Sequence, residues 1–193
     1  LPFQRKSKRR KQIVMLIDTH SHLFLEEFSD DLPQVMERAR QAGVSRIYMP
    51  NIDSTTIEPM LSVCDTYRDF CFPMIGLHPT SVNESYEKEL EIVAANLETS
   101  GRFVAVGEIG IDLYWDKTWL KEQLIAFEKQ VQWALHYQLP IVIHCREAFD
   151  YIYKVLQPYK NSGLTGIFHS FTGTPGEAAR MMEFPGFKIG ING

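Results

Sequence analysis

The sequence predicts an α/β fold, a (β/α)8 barrel of the TIM type, from three observations. Apolar runs typical of strands alternate with segments of helical periodicity at intervals of about 25–35 residues. The runs are continuously apolar, as in parallel strands that are covered on both faces. Polar residues able to carry chemistry follow most of the runs, which is where a barrel collects its active site. The competing architecture, a doubly wound open sheet, is disfavoured because no Gly-x-Gly-x-x-Gly follows the first strand.

Seven strands are expected, each a short apolar run. Their ranges are 13–17, 44–52, 71–77, 103–109, 139–144, 164–169 and 187–191. The segments between them repeat apolar residues at helical spacing. Two of the helices carry capping signals at their starts, Thr55 with Glu58 and Thr174 with Glu177.

Charge is divided unevenly along the chain. Six of the 20 basic residues lie in residues 1–12, and the remainder has 14 basic against 24 acidic residues, a net charge of −10. The basic extension can bind nucleic acid or direct localisation, but we expect it to be disordered or to remain from cloning. Residues 13–193 are expected to form one hydrolase domain. Its acidic balance argues against broad electrostatic binding of duplex DNA, so a phosphate-bearing substrate would be held locally.

The cysteines and the hydropathy indicate a cytoplasmic protein. Cys64, Cys71 and Cys145 form no Cys-x-x-Cys pair, which is typical of free thiols in a reducing compartment. Cys145 is expected to pack rather than to act as a nucleophile. No apolar run approaches the roughly 18 residues of a membrane span, and no signal-peptide pattern opens the chain.

A pair of histidines follows the first predicted strand, in Asp18-Thr19-His20-Ser21-His22. Because side chains alternate along a strand, His20 and His22 point the same way. Asp18 has the same parity and can join or orient them. Two adjacent imidazoles form half of a site for Zn, Mn, Fe or Ni, provided that further ligands lie downstream.

Further candidate ligands follow later strands. They are Glu108, His144 and His169, at the ends of the fourth, fifth and sixth strands. A barrel brings these strand ends together on its axis, so that four histidines and one carboxylate would line one pocket. A carboxylate between two pairs of histidines can bridge two metal ions. We therefore expect a binuclear site for two divalent ions, Mg, Mn or Zn, with Glu108 as a catalytic residue.

Three other polar residues have weaker claims. His78 follows the third strand and Arg146 follows the fifth, and both are expected to contact the substrate. The alternative for Arg146 is a salt bridge with a neighbouring acid. Asp112 either orients a ligand histidine or caps a turn. No Gly-x-Ser-x-Gly elbow or Ser-His-Asp context is present, which disfavours a covalent mechanism.

Five motifs together resemble the TatD-type metal-dependent deoxyribonucleases, a family of amidohydrolase-like barrels. The motifs are Asp18-Thr19-His20-Ser21-His22, Gly76-Leu77-His78-Pro79, Gly107-Glu108-Ile109-Gly110-Ile111-Asp112, Ile143-His144-Cys145-Arg146 and His169-Ser170-Phe171-Thr172-Gly173. They stand in the family's order, and the resemblance runs from about Leu16 to the last residue. It implies a binuclear enzyme that hydrolyses DNA phosphodiesters, at single strands or 3′ ends, through a metal-bound water. Carried over by position, His20 and His22 hold one ion, Glu108 bridges, and His144 and His169 hold the second.

The resemblance also implies an Asp at the end of an eighth strand, as a ligand and as the base for the attacking water. A barrel of this type typically needs about 250 residues. We therefore expect this chain to be truncated after its seventh strand. The natural protein is expected to continue by roughly 60–70 residues with a helix, the eighth strand and a closing helix.

Two other functions stay open. The first is a related amidohydrolase that cleaves C–N or lactone bonds. Such relatives often bridge their metals with a carboxylated lysine, so Glu108 favours the nuclease-like branch. The second is a non-catalytic fragment that binds metal or nucleic acid. Metal-dependent release of nucleotides from a DNA 3′ end separates the nuclease from both.

Overall fold

The structure is a computed structural model that describes residues 15–191. Within this range seven strands alternate with six α-helices. The strands are Leu16–Asp18 (β1), Val44–Pro50 (β2), Cys71–Met74 (β3), Val106–Asp112 (β4), Ile141–Arg146 (β5), Gly166–Phe168 (β6) and Phe187–Ile189 (β7). The helices are Leu32–Gln41 (α1), Ser54–Thr66 (α2), Tyr86–Ser100 (α3), Leu120–Tyr137 (α4), Phe149–Leu156 (α5) and Pro175–Met181 (α6).

Every strand pairs in parallel with the next strand along the chain. The pairing gives two sheets, β1-β2-β3 and β4-β5-β6-β7. A parallel bridge between Ile75 and Val106 joins them, and the Gly107 N–H donates to the Ile75 carbonyl at 2.8 Å. The strand order does not reverse within the described residues, whereas a doubly wound sheet reverses at its switch point.

The sheet curls so that the carboxyl ends of distant strands meet. The ring of His20, just after β1, stacks on that of His169, just after β6, with centroids 3.4 Å apart and planes at 12°. In a flat sheet these strands would lie five spacings apart, about 24 Å. This curvature is that of a barrel, so the predicted α/β barrel architecture is confirmed.

Two central strands extend beyond their predicted ends. β4 was expected over 103–109 but runs from Val106 to Asp112, so that Glu108 lies well inside the strand rather than next to its end. β5 was expected over 139–144 but continues to Arg146. The predictions followed apolar runs, whereas here the polar residues continue the strand. All of β4 is buried, its two carboxylates included.

The first strand is less buried than predicted. Leu16 and Ile17 are 46% and 47% exposed. Among the described residues β1 pairs only with β2, so this edge strand has an uncovered side. The rest of the predicted strand, residues 13–14, and the basic extension 1–12 lie outside the described residues.

One predicted helix cap is confirmed and one is wrong. Thr174 and Glu177 form the expected reciprocal capping box at α6, with backbone-to-side-chain distances of 3.3 and 2.7 Å. At α2 the cap is Asp53, whose carboxylate accepts the Thr55 N–H at 3.0 Å. A short acceptor one position outside the helix can reach the free N–H groups of the first turn, and here Asp53 has that place.

The main core lies between the strands and the helices that cover them. Ile109, Ile111 and Ile143 of the central strands and Phe127 and Val131 of α4 are fully buried within it. The three cysteines are buried and free, as predicted. Burial raises the pKa of the Cys145 thiol to about 12. Among the described residues no helix is long and apolar enough to cross a membrane.

Candidate metal centre

One buried carboxylate lies at the centre of the converging strand ends. Glu108, on β4, is 3% exposed. Its Oε2 lies 3.0 Å from His20 Nε2, 3.7 Å from His78 Nε2 and 3.8 Å from His22 Nε2. Its Oε1 lies 3.1 Å from His144 Nδ1. The side chains that the sequence placed after separate strands therefore meet at this carboxylate.

The surroundings keep Glu108 ionised. Burial alone would raise the pKa of its carboxyl group, but hydrogen bonds from His144 and His20 outweigh burial and hold the pKa well below its usual range. The centre thus contains a fixed negative charge with a histidine nitrogen beside each oxygen. Such a group favours a bound cation.

Three of the surrounding histidines have lowered pKa values, which favours their neutral form. Burial, as the largest effect, lowers the pKa of His78 and of His169 to about 4. Burial and then the neighbouring His20 lower the pKa of His22. Neutral imidazole is the form that binds metal, so at neutral pH His22 and His169 can act as ligands without losing a proton.

The hydrogen bonds of His22 aim one lone pair into the centre. Its Nδ1 lies 3.1 Å from the Pro50 carbonyl, which can only accept, so Nδ1 carries the proton. Its Nε2 is then an acceptor that faces His20 Nε2 at 3.1 Å. Glu108 Oε2 lies 3.0 Å from the same His20 nitrogen, so two acceptors face the one proton that this nitrogen can carry. The other nitrogen of His20, Nδ1, is buried and has no hydrogen-bond partner among the described residues. The centre therefore has more lone pairs than protons, which fits a site for cations.

Two possible ligand groups contain Glu108. In each, the ligand atoms lie within 4.8 Å of one another: His20, Glu108 and His169 form the first group, and His78, Glu108 and His144 the second. A carboxylate common to two groups fits the predicted bridge. These groups place His169 with His20 and His78 with His144, whereas the family resemblance pairs His169 with His144.

Hydrogen bonding fixes the tautomer of the His78 ring. The Thr80 N–H donates to His78 Nδ1 at 3.2 Å, so the neutral ring carries its proton on Nε2. Nε2 is the atom that faces Glu108. In this tautomer Nε2 donates and would have to lose its proton to bind a metal, as would the ring nitrogens of His20 and His144 that donate to Glu108. A donor on Nε2 suits a substrate oxygen, and the substrate-contacting role of His78 stays a prediction.

Asp112 contacts the ring of a candidate ligand, whereas Asp18 contacts only the backbone of one. Asp112 Oδ2 lies 2.8 Å from His144 Nε2, the contact expected of a residue that orients a histidine. Burial would lower the pKa of His144, but hydrogen bonds to Glu108 and Asp112 raise it. Asp18 instead accepts the backbone N–H of His20 at 3.1 Å. It fixes the turn after β1 rather than the ring.

The centre forms the floor of an open cavity of about 400 Å³, a size typical of small-molecule sites. Its lining comprises His20, His22, His78, Glu108, His144, Cys145, Arg146, His169, Ser170 and Thr172. Arg146 makes no ion pair with the described residues, so the expected alternative of a salt bridge is not found there. Its guanidinium lies over the ring of Tyr114 instead, 3.6 Å from the centroid. The positive charge therefore stands beside the cavity without a carboxylate partner.

Three buried amides position the site, and the sequence analysis missed them. Gln130 accepts the Leu77 N–H at 2.7 Å and donates to the Leu77 carbonyl at 3.3 Å, next to His78. Gln123 bonds the backbone N–H and carbonyl of Asp112 in the same way. Asn51 accepts the Gly76 N–H at 2.8 Å. For the two glutamines the available signal was a single polar residue in an apolar helix face, and for Asn51 a single amide in the apolar run 44–52, because buried amides need partners.

Replacing Gln130 should loosen the segment that carries His78. Gln130→Leu leaves the buried N–H and carbonyl of Leu77 without their partner, and we expect a loss of about 2–4 kcal/mol in the free energy of unfolding. Urea denaturation measures the change. The matched control is Gln132→Leu, an exposed position on the same helix, which should change stability by at most about 0.5 kcal/mol. Equal effects of the two substitutions would contradict this assignment.

Comparisons with known proteins agree with the geometry. The chain is 35% identical over 179 residues to the uncharacterized metal-dependent hydrolase YabD of Bacillus subtilis, covering 93% of this chain and 69% of YabD. It is 34% identical over 181 residues to the 3′-5′ ssDNA/RNA exonuclease TatD of Edwardsiella piscicida, covering 92% and 68%. The crystal structure of YjjV, a TatD homologue from Escherichia coli K12, superposes with a TM-score of 0.83 at 31% identity, covering 92% and 68%.

The family assignment follows from the sequence directly. The family model described as TatD related DNase matches residues 17–193, nearly the whole chain. The structural neighbours of this chain are TIM barrels, in agreement with the curvature of its sheet. The chain therefore belongs to the TatD-related DNase family of metal-dependent hydrolases.

Proposed function

We propose that this protein hydrolyses phosphodiester bonds of single-stranded DNA, releases nucleotides from 3′ ends, and uses two divalent ions, Mg, Mn or Zn. The observation that carries the proposal is the position of Glu108, an ionised and buried carboxylate with histidine nitrogens against each of its oxygens. The DNA substrate and its polarity are supported by the name of the Edwardsiella piscicida relative.

In this proposal Glu108 would be a ligand shared by both ions. His20 and His22, which face its Oε2, would hold one ion, and His144, which faces its Oε1, would hold the other. His169, stacked on His20, completes the ligand set. When bound, the ions supply Lewis-acid polarisation of a phosphoryl oxygen and lower the pKa of a nearby water.

The remaining residues act on the substrate or on a ligand. Arg146 binds the phosphate, because its guanidinium has no carboxylate partner among the described residues and lines the cavity. His78 donates from Nε2 to a phosphate oxygen, since its Nδ1 already accepts from Thr80. Asp112 keeps the ring of His144 in place.

An end-labelled oligonucleotide tests this function. With a 5′ label and Mn²⁺, we expect a ladder of products shortened from the 3′ end and no cleavage after EDTA is added. RNA of the same sequence, a lactone and an amide are assayed in parallel. Cleavage that resists EDTA would contradict the proposal, as would hydrolysis of the lactone or amide with none of DNA.

His78 and Arg146 should affect the substrate rather than the metal. Each of His78→Ala and Arg146→Ala removes a hydrogen-bond donor to phosphate, which is worth roughly a 10-fold rise in KM or more when the acceptor is charged. The metal content per chain, measured by plasma mass spectrometry, should stay at the wild-type value. Loss of bound metal in either variant would assign that residue to the ligand set instead.

A further inference from the structure

Two exposed aromatic residues stand beside the candidate metal centre. Tyr114 and Trp115 directly follow Leu113 at the end of β4, and they are 50% and 71% exposed. Their rings lie edge to face, with centroids 4.9 Å apart at 89°. Two adjacent exposed rings beside a cavity offer a surface on which a planar group can stack.

Arg146 connects this aromatic pair to the cavity. Its guanidinium lies 3.6 Å from the Tyr114 centroid and 5.5 Å from that of Trp115, and the residue also lines the cavity. A guanidinium stacked on a ring keeps its N–H groups free at the edge of its plane. Those N–H groups can therefore bind an anion while the aromatic faces bind an apolar, planar group.

The aromatic pair is held in a fixed position relative to the centre. Asp112 Oδ1 accepts the backbone N–H of Tyr114 at 2.9 Å and of Trp115 at 3.2 Å. The other oxygen of the same carboxylate contacts His144 Nε2. One buried residue thus fixes both the loop that carries the aromatic rings and a candidate metal ligand.

We propose that Tyr114, Trp115 and Arg146 form a binding platform for an unstacked nucleobase and its adjoining phosphate. The base stacks on the exposed indole face, and the guanidinium pairs with the phosphate next to the cavity. A base in a duplex has both faces covered, so the platform selects single-stranded or frayed nucleic acid. Stacking on an aromatic side chain tolerates every base, so little sequence preference is expected. This inference rests on the proposed function, because it identifies the substrate class of the same site.

Equilibrium binding in EDTA tests the platform, because cleavage cannot then intervene. The probes are a fluorescent oligo(dT) and an abasic oligomer with the same number of phosphates, measured by anisotropy. Trp115→Leu should weaken oligo(dT) binding by about 5- to 100-fold. Trp115→Phe, which keeps an aromatic face, should stay within about threefold of wild type. The abasic oligomer should bind more weakly than oligo(dT) to the wild type and show no difference between the Leu and Phe variants.

The outcomes separate the platform from the proposed chemistry. If Trp115→Leu binds oligo(dT) as tightly as wild type, or if the wild type does not distinguish oligo(dT) from the abasic oligomer, the platform is overturned. Hydrolysis of oligo(dT) by the wild type with Mn²⁺ is measured separately. Base-dependent binding without hydrolysis would support the platform and refute the proposed function, and hydrolysis without an effect of Trp115 would do the reverse. Circular dichroism confirms that both variants are folded.

Discussion

Glu108→Gln should reduce metal-dependent hydrolysis by at least about 1,000-fold. Glu108 belongs to both possible ligand groups, so neither group can compensate for its loss. The amide keeps the size of the side chain but removes its negative charge. It also replaces one acceptor oxygen with an N–H₂ donor, which would face the nitrogens of His20 or His144. In the proposed site, both ions would lose a ligand at once. Steady-state kinetics on a single-stranded oligonucleotide with Mn²⁺ measure the loss.

Glu147→Gln is the matched control. Glu147 directly follows β5 and is exposed, so the substitution removes the same charge from the same end of the fold without touching the centre. Its activity should stay within about twofold of wild type, since surface charges contribute little. Comparable losses in the two variants would show that net charge, rather than ligation by Glu108, governs activity.

Gly110→Ala should destabilise the fold by roughly 3–5 kcal/mol, a large part of the stability of a typical domain. Gly110 lies opposite His144 in the β4–β5 pair and has φ +146. A Cβ there would overlap the His144 carbonyl oxygen, which is backbone and cannot rotate away. The strand pair must separate at the residue that contacts Glu108. Urea denaturation should show the loss, or the variant should fail to fold.

Gly101→Ala separates the cost of the clash from the cost of the backbone angle. Gly101 also has a positive φ, +56, but a Cβ there meets open space. Its substitution should cost only about 1–2 kcal/mol. A Gly110→Ala variant that is no less stable than Gly101→Ala would show that β4 and β5 do not approach as closely as described.

The sequence predicted the architecture because strand ends in a parallel barrel converge whatever their exact boundaries. That β4 extends three residues beyond its predicted end did not alter which end of the fold carries Glu108. The meeting of His20, His144 and Glu108 followed from their order along the chain. The ligand roles themselves stay predictions.

Other features depend on tertiary contacts that local patterns do not encode. The stacking of His20 on His169 requires the curvature of the whole sheet. The cap at α2 required a choice between two acceptors two positions apart, Asp53 and Thr55, and Asp53 lies just outside the helix. The role of Gln130 depends on the backbone of Leu77, 53 positions away in sequence. Trp115 belongs to none of the motifs found in the sequence, and only its exposure identifies it as a candidate binding residue.

The central claim is that one carboxylate, Glu108, binds two ions. Anomalous diffraction from crystals grown with Mn²⁺ or Zn²⁺ tests it most directly. The account predicts two peaks about 3.5–4 Å apart. One should lie about 2.0–2.2 Å from Glu108 Oε2 with His20 or His22 beside it, and the other at the same distance from Oε1 with His144 beside it. A single peak, or two peaks of which neither contacts Glu108, would contradict the account.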